Sequence, residues 1–474
     1  MAAGDVGDLA ELLRLAEWSP RQLVAAVNGR LSSQGRERLR LDPTAGYSWV
    51  RRGFRPRPPV PDVAAAVLTE RLGYTVSVGQ LWPGRPAPTG LMLSATSGMD
   101  GLVNFDDLVR ELNDLAASAV SPRCPVAEVS GTELAFAVVD QLRRVEVCDR
   151  DRAARDRVLP EQVDLISGHV AALRRLDDRH GGGALSLRYV TAELRSVVEL
   201  VQYASYDAGT GRRLMTVVAD LGQLLGWLCF DSGRRGAAER YLLLSLGVCR
   251  AVGAADRAAN VIGMLSYVSA FAGHGREAVR LAEAAVGECV KADPFLRARL
   301  LGREATAAAA DGDIGRFRRQ SQEAADVLRR YEARDAPPFL YYLSTEQLRA
   351  EAGQALVVLA EQEPTARGRL LSEAVSTLSG AVEVMAAPGP AGAGAAYPRS
   401  ALLHATFLVR ACLMRGDLER GVAAMRTGMG LLPQVQSPRA RSYLRELRPV
   451  LARRSRSQVV RDFLAEFDQA SSLM

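Results

Sequence analysis

Eight arginines crowd the stretch from residue 30 to residue 57 (Arg30, Arg36, Arg38, Arg40, Arg51, Arg52, Arg55 and Arg57) against only Glu37 and Asp42. This short segment therefore holds a charge excess equal to the +6 of the whole 474-residue chain. Guanidinium groups at such density suit the phosphates of a nucleic-acid backbone, while a short helix among them presents side chains able to reach base edges. Ser48 and Arg52 are the first choices for base contact, Arg for guanine and Ser for either strand. Arg51, Arg55 and Arg57, together with Arg38 and Arg40, suit phosphates, and Thr44 and Trp49 from the same helix complete the candidate DNA-binding set. Of the sixty basic residues only Lys291 is lysine, so the placement of the arginines says more than their number.

The elements that position these groups are short helices. Leu9, Leu12 and Leu13 give the first its apolar stripe; Ser19-Pro20 supplies the cap and first turn of the second, which runs through Leu23, Val24 and Val27. Asp42-Pro43 predicts the start of a third helix ending at Arg52, with Gly53 as its stop. Val63, Val67, Leu68 and Leu72 form the face of a fourth, and Ser77 caps a final turn ending at Trp82-Pro83. Between the second and third helices, Gly29 to Leu41 is either an extension of the helix or an inserted loop. Two registers fit the third helix. With Val50 buried, Tyr47 joins it inside; with Trp49 buried, Ala45 joins it; in both, Ser48 and Arg52 face outward. Five short helices with a basic exit from the third make a DNA-reader layout, assigned to residues 1–84.

Residues 85–105 are rich in Pro, Gly, Ser and Thr and read as a linker. A helical connecting region follows over 106–184, and from 106 onward the pattern is helical, with breaks at Ser121 to Pro125, His180 to Gly183, Ala336 to Pro338, Ala386 to Ala396 and Gln434 to Pro438. Residues 185–474 contain a repeat. DSGRRGAAERYLLLSL, FAGHGREAVRLAEAAV, ADGDIGRFRRQSQEAA and MRGDLERGVAAMRTGM each set a glycine (Gly233, Gly273, Gly312, Gly416) at a turn between amphipathic helices. The first three are forty and thirty-nine residues apart, a further unit with a longer turn (Glu361 to Gly368) fits before Gly416, and Ala238, Ala278, Ala285 and Ala324 recur at matching offsets. Such a period predicts stacked helical hairpins. The expected fold is thus all-α, a small helix-turn-helix domain joined to an α-solenoid.

The hairpins resemble tetratricopeptide repeats, though longer than the usual thirty-four or so residues and without the Trp-Leu-Gly-Tyr series. Val50-Arg51-Arg52-Gly53-Phe54-Arg55-Pro56, and the later Val76-Ser77-x-x-Gln80-Leu81-Trp82, resemble the third-helix exit and closing helices of Cro/CI (XRE)-type helix-turn-helix regulators. The chain departs from that family in carrying Arg51 where Glu is usual and in its long second connection. Together with LRRLDDRHGGGALSLRYV from Leu173 to Val190, the arrangement resembles actinobacterial, Streptomyces-type regulators that join such a domain to tetratricopeptide-like repeats. The resemblance implies transcriptional regulation of antibiotic production, secondary metabolism or sporulation; the reader layout itself predicts double-stranded DNA as partner and, because one small domain alone binds weakly, a homodimer on paired half-sites.

Nothing in the residues points to catalysis. The four histidines (His169, His180, His274, His404) form no HExxH, the six cysteines form no CxxC pair, and no metal site or cofactor is expected. The His180-Gly181-Gly182-Gly183 turn lacks the partners of a phosphate loop and reads as a flexible connection; Asp177-Asp178 beside it reads as solvated or capping. The N-terminus is not a signal sequence and no segment approaches eighteen consecutive apolar residues, so a cytoplasmic protein without membrane contact is expected. Helical solenoids expose a concave face that binds a peptide in the RRNPP type of regulator. By that analogy Phe339, Tyr341, Tyr342 and Tyr206, with Arg195 and Arg299 as carboxylate clamps, are the candidate site for a small-molecule or peptide effector. Adjacent Tyr341 and Tyr342 are not expected to face the same core. The alternative reading is a protein-interaction scaffold whose N-terminal domain does not read DNA.

Overall fold

The computed structural model describes residues 9, 12–13, 16, 18–33, 39–52, 56, 60–72, 81, 105–119, 126, 128–129, 132–143, 156–288, 293–331, 336–388 and 397–471. The chain is all-α and forms two compact units, residues 1–96 with 125–127, and residues 97–124 with 128–474.

In the first unit, α1 (Pro20–Ser33), α2 (Ala45–Arg52) and α3 (Val60–Leu72) pack around one core that begins at Leu9 and ends at Leu81. Ser19 starts α1 with a reciprocal capping box: its N–H donates to Gln22 Oε1 at 2.7 Å and the Gln22 N–H donates to Ser19 Oγ at 3.3 Å. The α1 helix continues past Gly29 to Ser33, the first part of the Gly29 to Leu41 connection; residues 34–38 lie outside the described residues. Further along the connection, the Asn28 amide holds the Leu41 backbone from both sides, accepting from its N–H at 2.9 Å and donating to its carbonyl at 3.0 Å.

The second unit is a solenoid of consecutive antiparallel helix pairs. Leading into it are α4 (Phe105–Ala119), α5 (Thr132–Arg143), α6 (Pro160–His180) and α7 (Ala184–Tyr203). Five hairpins follow: α8 (Ala208–Asp231) with α9 (Arg235–Ala251), α10 (Ala255–Phe271) with α11 (Gly275–Glu288), α12 (Pro294–Ala310) with α13 (Ile314–Leu328), α14 (Thr345–Gln362) with α15 (Arg367–Ala386), and α16 (Pro398–Arg415) with α17 (Leu418–Leu431). The last helices are α18 (Pro438–Ala452) and α19 (Gln458–Ser471). Gly233, Gly273, Gly312 and Gly416 each close the first helix of a hairpin with φ of 75, 82, 84 and 81°, a left-handed turn that a Cβ disfavours. Asp207, Asp293, Asp313, Ser344, Asp417 and Ser437 cap the following helix through their side chains. Ala238, Ala278, Ala285 and Ala324 are all buried, the small residues that let paired helices approach.

The α8 helix is long and apolar enough to span a bilayer, but 78% of its apolar window is buried inside the protein. Its composition serves the solenoid core.

The Gly181-Gly182-Gly183 turn is a close-packed crossing, which corrects its reading as a flexible connection. All three glycines are buried, and a Cβ on Gly182 would lie 2.4 Å from Leu228 Cδ2 and one on Gly181 2.7 Å from Ser437 Cβ. Here the start of the solenoid meets its end: the Gln436 N–H donates to the His180 carbonyl at 2.6 Å, and His180 Nδ1 lies 3.0 Å from the Gln434 carbonyl oxygen.

Candidate functional site

In the first unit the eight residues of α2 divide into two faces. Trp49 is only 2% exposed and sits in the core, with Ala45 and Val50 packed beside it. On the same side, Gly46 lies so close to α1 that a Cβ would meet the Pro20 carbonyl oxygen at 2.4 Å. The register with Trp49 inside is therefore the one formed, and Trp49 is removed from the DNA-contacting set because its indole fills the core. Ser48 also differs from expectation: it is half-buried, and its hydroxyl donates to the Ala45 carbonyl at 2.7 Å. Thr44 is exposed, its hydroxyl and N–H both donating to Asp42. These bonds hold the Asp42 carboxyl below its usual range and form the turn from which α2 starts, two residues later than Asp42-Pro43 predicts. Tyr47 is exposed on the outer face, a candidate contact that sequence reasoning placed inside in one register and left unassigned in the other. Arg40 is exposed. Arg51 and Arg52 end α2; Arg38, Arg55 and Arg57 lie outside the described residues.

In the second unit the first helices of the hairpins supply much of the lining of two cavities. An aromatic ladder runs from Trp227, Phe230 and Tyr267 through Phe271 to Phe407 and Tyr443, with ring centroids 4.5 to 6.4 Å apart. Beside the ladder is a cavity of about 640 Å³, lined by residues such as Phe271, Val358, Met414 and Leu447. A second cavity of about 90 Å³ lies where α6, α8, α10, α12, α14, α16 and α18 converge, and its wall is charged.

Phe339, Tyr341 and Tyr342 come together at this smaller cavity, as the effector reading requires. The two tyrosines face the same space in an edge-to-face contact at 5.9 Å, contrary to expectation, because they follow a 3-10 turn over Pro338–Leu340 and not an extended run. Arg299 and Tyr206 are not part of the lining. Arg299 is fully buried behind it with two N–H groups on the Glu351 carboxylate, so the predicted clamp already holds an internal carboxylate. The Tyr206 hydroxyl donates to the Val201 carbonyl at 2.9 Å.

What the sequence reading missed is the charge lining the smaller cavity. Arg174, Arg303, Arg399 and Arg439 line the cavity with Asp177, Asp178 and Glu351. Asp177 is buried, which overturns its reading as a solvated or capping group. Among the described residues no cluster of three or more His, Cys, Asp and Glu side chains is placed to hold a metal.

Burial pushes the Asp177 carboxyl up to about 7, Arg399 and Arg439 lowering it and Asp231 and Asp178 raising it further. Asp178 rises to about 6 for the same principal reason. An unfolded Asp titrates near 3.8, so between about pH 4 and pH 7 the folded protein keeps a proton that the unfolded chain has released. Folding stability contributed at Asp177 is therefore present at low pH and lost as pH rises through that window. Asp177→Asn, which carries no titration, is expected to gain on the order of 2–4 kcal/mol relative to wild type between pH 4.5 and pH 8, at about 1.4 kcal/mol per pKa unit. Urea unfolding of both proteins at the two pH values checks this; a difference that does not change with pH would remove Asp177 from the account.

A family model described as the SP15 N-terminal domain matches residues 9–81, the same limits as the core of the first unit. No curated protein and no solved structure matches the chain.

Proposed function

We propose that this is a cytoplasmic, sequence-specific DNA-binding transcriptional regulator, a homodimer whose N-terminal unit is a helix-turn-helix reader and whose tetratricopeptide-like repeats dimerise and sense a small effector. The observation that carries the reading is the division of α2. Trp49 and Gly46 fix one face on α1, the outer face carries exposed Tyr47, exposed Thr44 stands in the turn just before the helix, and the helix ends in Arg51-Arg52 where the charge excess of the chain is concentrated. A short anchored helix with a basic exit fits the major groove, and flanking arginines fit phosphates. The two cavities of the repeat unit, with aromatic and charged walls, suit the sensing role. The Streptomyces-type resemblance of the sequence supports antibiotic production or development as the process regulated.

The test is selection of genomic DNA fragments by the full-length protein at near-physiological salt, repeated with the Arg51→Ala/Arg52→Ala variant. An enriched inverted repeat is expected, with the variant losing about 1–3 kcal/mol of preference for each base contact removed. A wild-type protein that enriches no motif would overturn the regulator reading and favour a protein-interaction scaffold.

A further inference from the structure

The charged cavity of about 90 Å³ is supplied with more hydrogen-bond donors than the protein itself can use. Arg439 is 7% exposed, yet none of its three guanidinium nitrogens has a hydrogen-bond partner among the described residues, and it meets the Asp231 carboxylate only in a long ion pair, Nε to oxygen 3.5 Å. That carboxylate is engaged by Arg399, whose Nη2 donates to it at 2.7 Å while Nε has no partner. Arg303, on the same lining, makes no hydrogen bond through Nη1; its ion pair with Glu351 is 3.8 Å long, and that carboxylate is held by Arg299 and Gln347. His404 adds a neutral donor. With the Gln354 amide nitrogen donating to Nδ1 at 2.9 Å, the imidazole proton sits on Nε2, which is buried and unpartnered.

These groups are held in place by stacking. The Arg439 guanidinium lies 4.5 Å over Phe230 and 5.5 Å over Trp227, and Arg303 lies 4.1 Å over Tyr267. A guanidinium stacked by its face is restrained while its N–H edge stays available. Each buried donor left unpaired costs about 1–3 kcal/mol, and a charged one costs more. An arrangement in which four separate side chains carry that cost around one space suits a site awaiting an acceptor-rich occupant.

We infer that this cavity binds a compact oxyanion, the carboxylate or phosphoryl group of a small metabolite, on the Arg439 fork with Arg303 and His404 as further donors. The inference deepens the sensing role proposed above and rests on it for its regulatory meaning, while binding itself is measured without DNA. The cavity volume limits the group inside it to a few heavy atoms, and the planar Arg fork matches the paired oxygens of either anion. Proximity of Asp177 and Asp178 disfavours a dianion, so a carboxylate is the expected form.

Titration of the full-length protein with acetate, malonate and inorganic phosphate, each against chloride at matched ionic strength, tests this by calorimetry and by thermal unfolding. A saturable rise in melting temperature is expected, larger for a carboxylate than for phosphate; the reverse order would assign the site to phosphoryl groups. Arg439→Met should lose this rise while its ligand-free form melts at or above the wild-type temperature, because a buried guanidinium that makes no hydrogen bond is replaced by an apolar chain of similar length and Asp231 keeps its bond from Arg399. His404→Phe should weaken binding at least tenfold with Arg439 intact. The site would be overturned if no anion exceeded the chloride control, if both variants kept the wild-type shift, or if ligand-free Arg439→Met melted well below wild type, marking the arginine as structural.

Discussion

Arg299→Ala is expected to destabilise the helical-repeat unit by about 3–5 kcal/mol, a large share of the stability of an ordinary domain. The arginine has no exposed surface, and its Nη1 donates to Glu351 Oε1 at 3.1 Å while Nη2 donates to Oε2. Burial alone would raise the Glu351 pKa; Arg299 and Arg303 more than reverse this and hold it down at about 2. Truncation would leave that carboxylate ionised in the protein interior with only the Gln347 amide at 3.0 Å and the more distant Arg303. The double variant Arg299→Met/Glu351→Met is expected to recover most of the loss, since removing both charges also removes the need to pair them. Urea unfolding of the two single variants and the double variant forms the cycle that measures this. A loss below about 1 kcal/mol for Arg299→Ala would show that water reaches Glu351 and that the pair is not a buried one.

The division between legible and illegible features follows distance along the chain. The hairpin turns were readable because each is local: a left-handed glycine, small residues at fixed offsets and a capping Asp or Ser close by. Ser19-Pro20 and Gln22 likewise announced the start of α1 within one turn. The fate of Trp49 was left between two registers, because an eight-residue helix gives barely two turns of periodicity, and packing against Pro20 and α1 decided it. Asp177-Asp178 and the three glycines after His180 were misread for a different reason. Their surroundings come from distant parts of the solenoid: Leu228 and Asp231, then Arg399, and finally Gln434 to Arg439, more than 250 residues away in sequence. Local composition reads two acids and a glycine run as solvated and flexible; only closure of the superhelix buries them. The same closure brings Arg439 to Trp227 and assembles the charged cavity. The aromatic run Phe339 to Tyr342 marked one wall of that cavity correctly, whereas Arg299 and Tyr206, selected by residue type alone, turned out to serve internal partners.

Trp49→Ala should unfold the N-terminal unit under conditions where the wild-type unit is folded. Truncating a buried Trp costs about 3–5 kcal/mol through lost contact and the cavity left behind, and a core confined to the span from Leu9 to Leu81 has little stability to spare. The neighbouring contacts cannot close the gap: Gly46 already brings α2 against the Pro20 backbone, so the helix has no room to shift toward α1. Limited trypsin digestion of the full-length chain, mapped by mass spectrometry, should show cleavage within residues 20–72 accelerated roughly 100-fold, following the larger open population. Tyr47→Ala, two residues away on the exposed face, is expected to change stability by about 1 kcal/mol or less. The pair therefore separates folding from reading. With a DNA-reading α2, Trp49→Ala abolishes fragment enrichment together with protease resistance, whereas Tyr47→Ala keeps the resistance and alters only the enriched motif. A Tyr47→Ala protein as protease-sensitive as Trp49→Ala would mean that both aromatics belong to the core, and the outer face of α2 would lose its claim as the recognition surface.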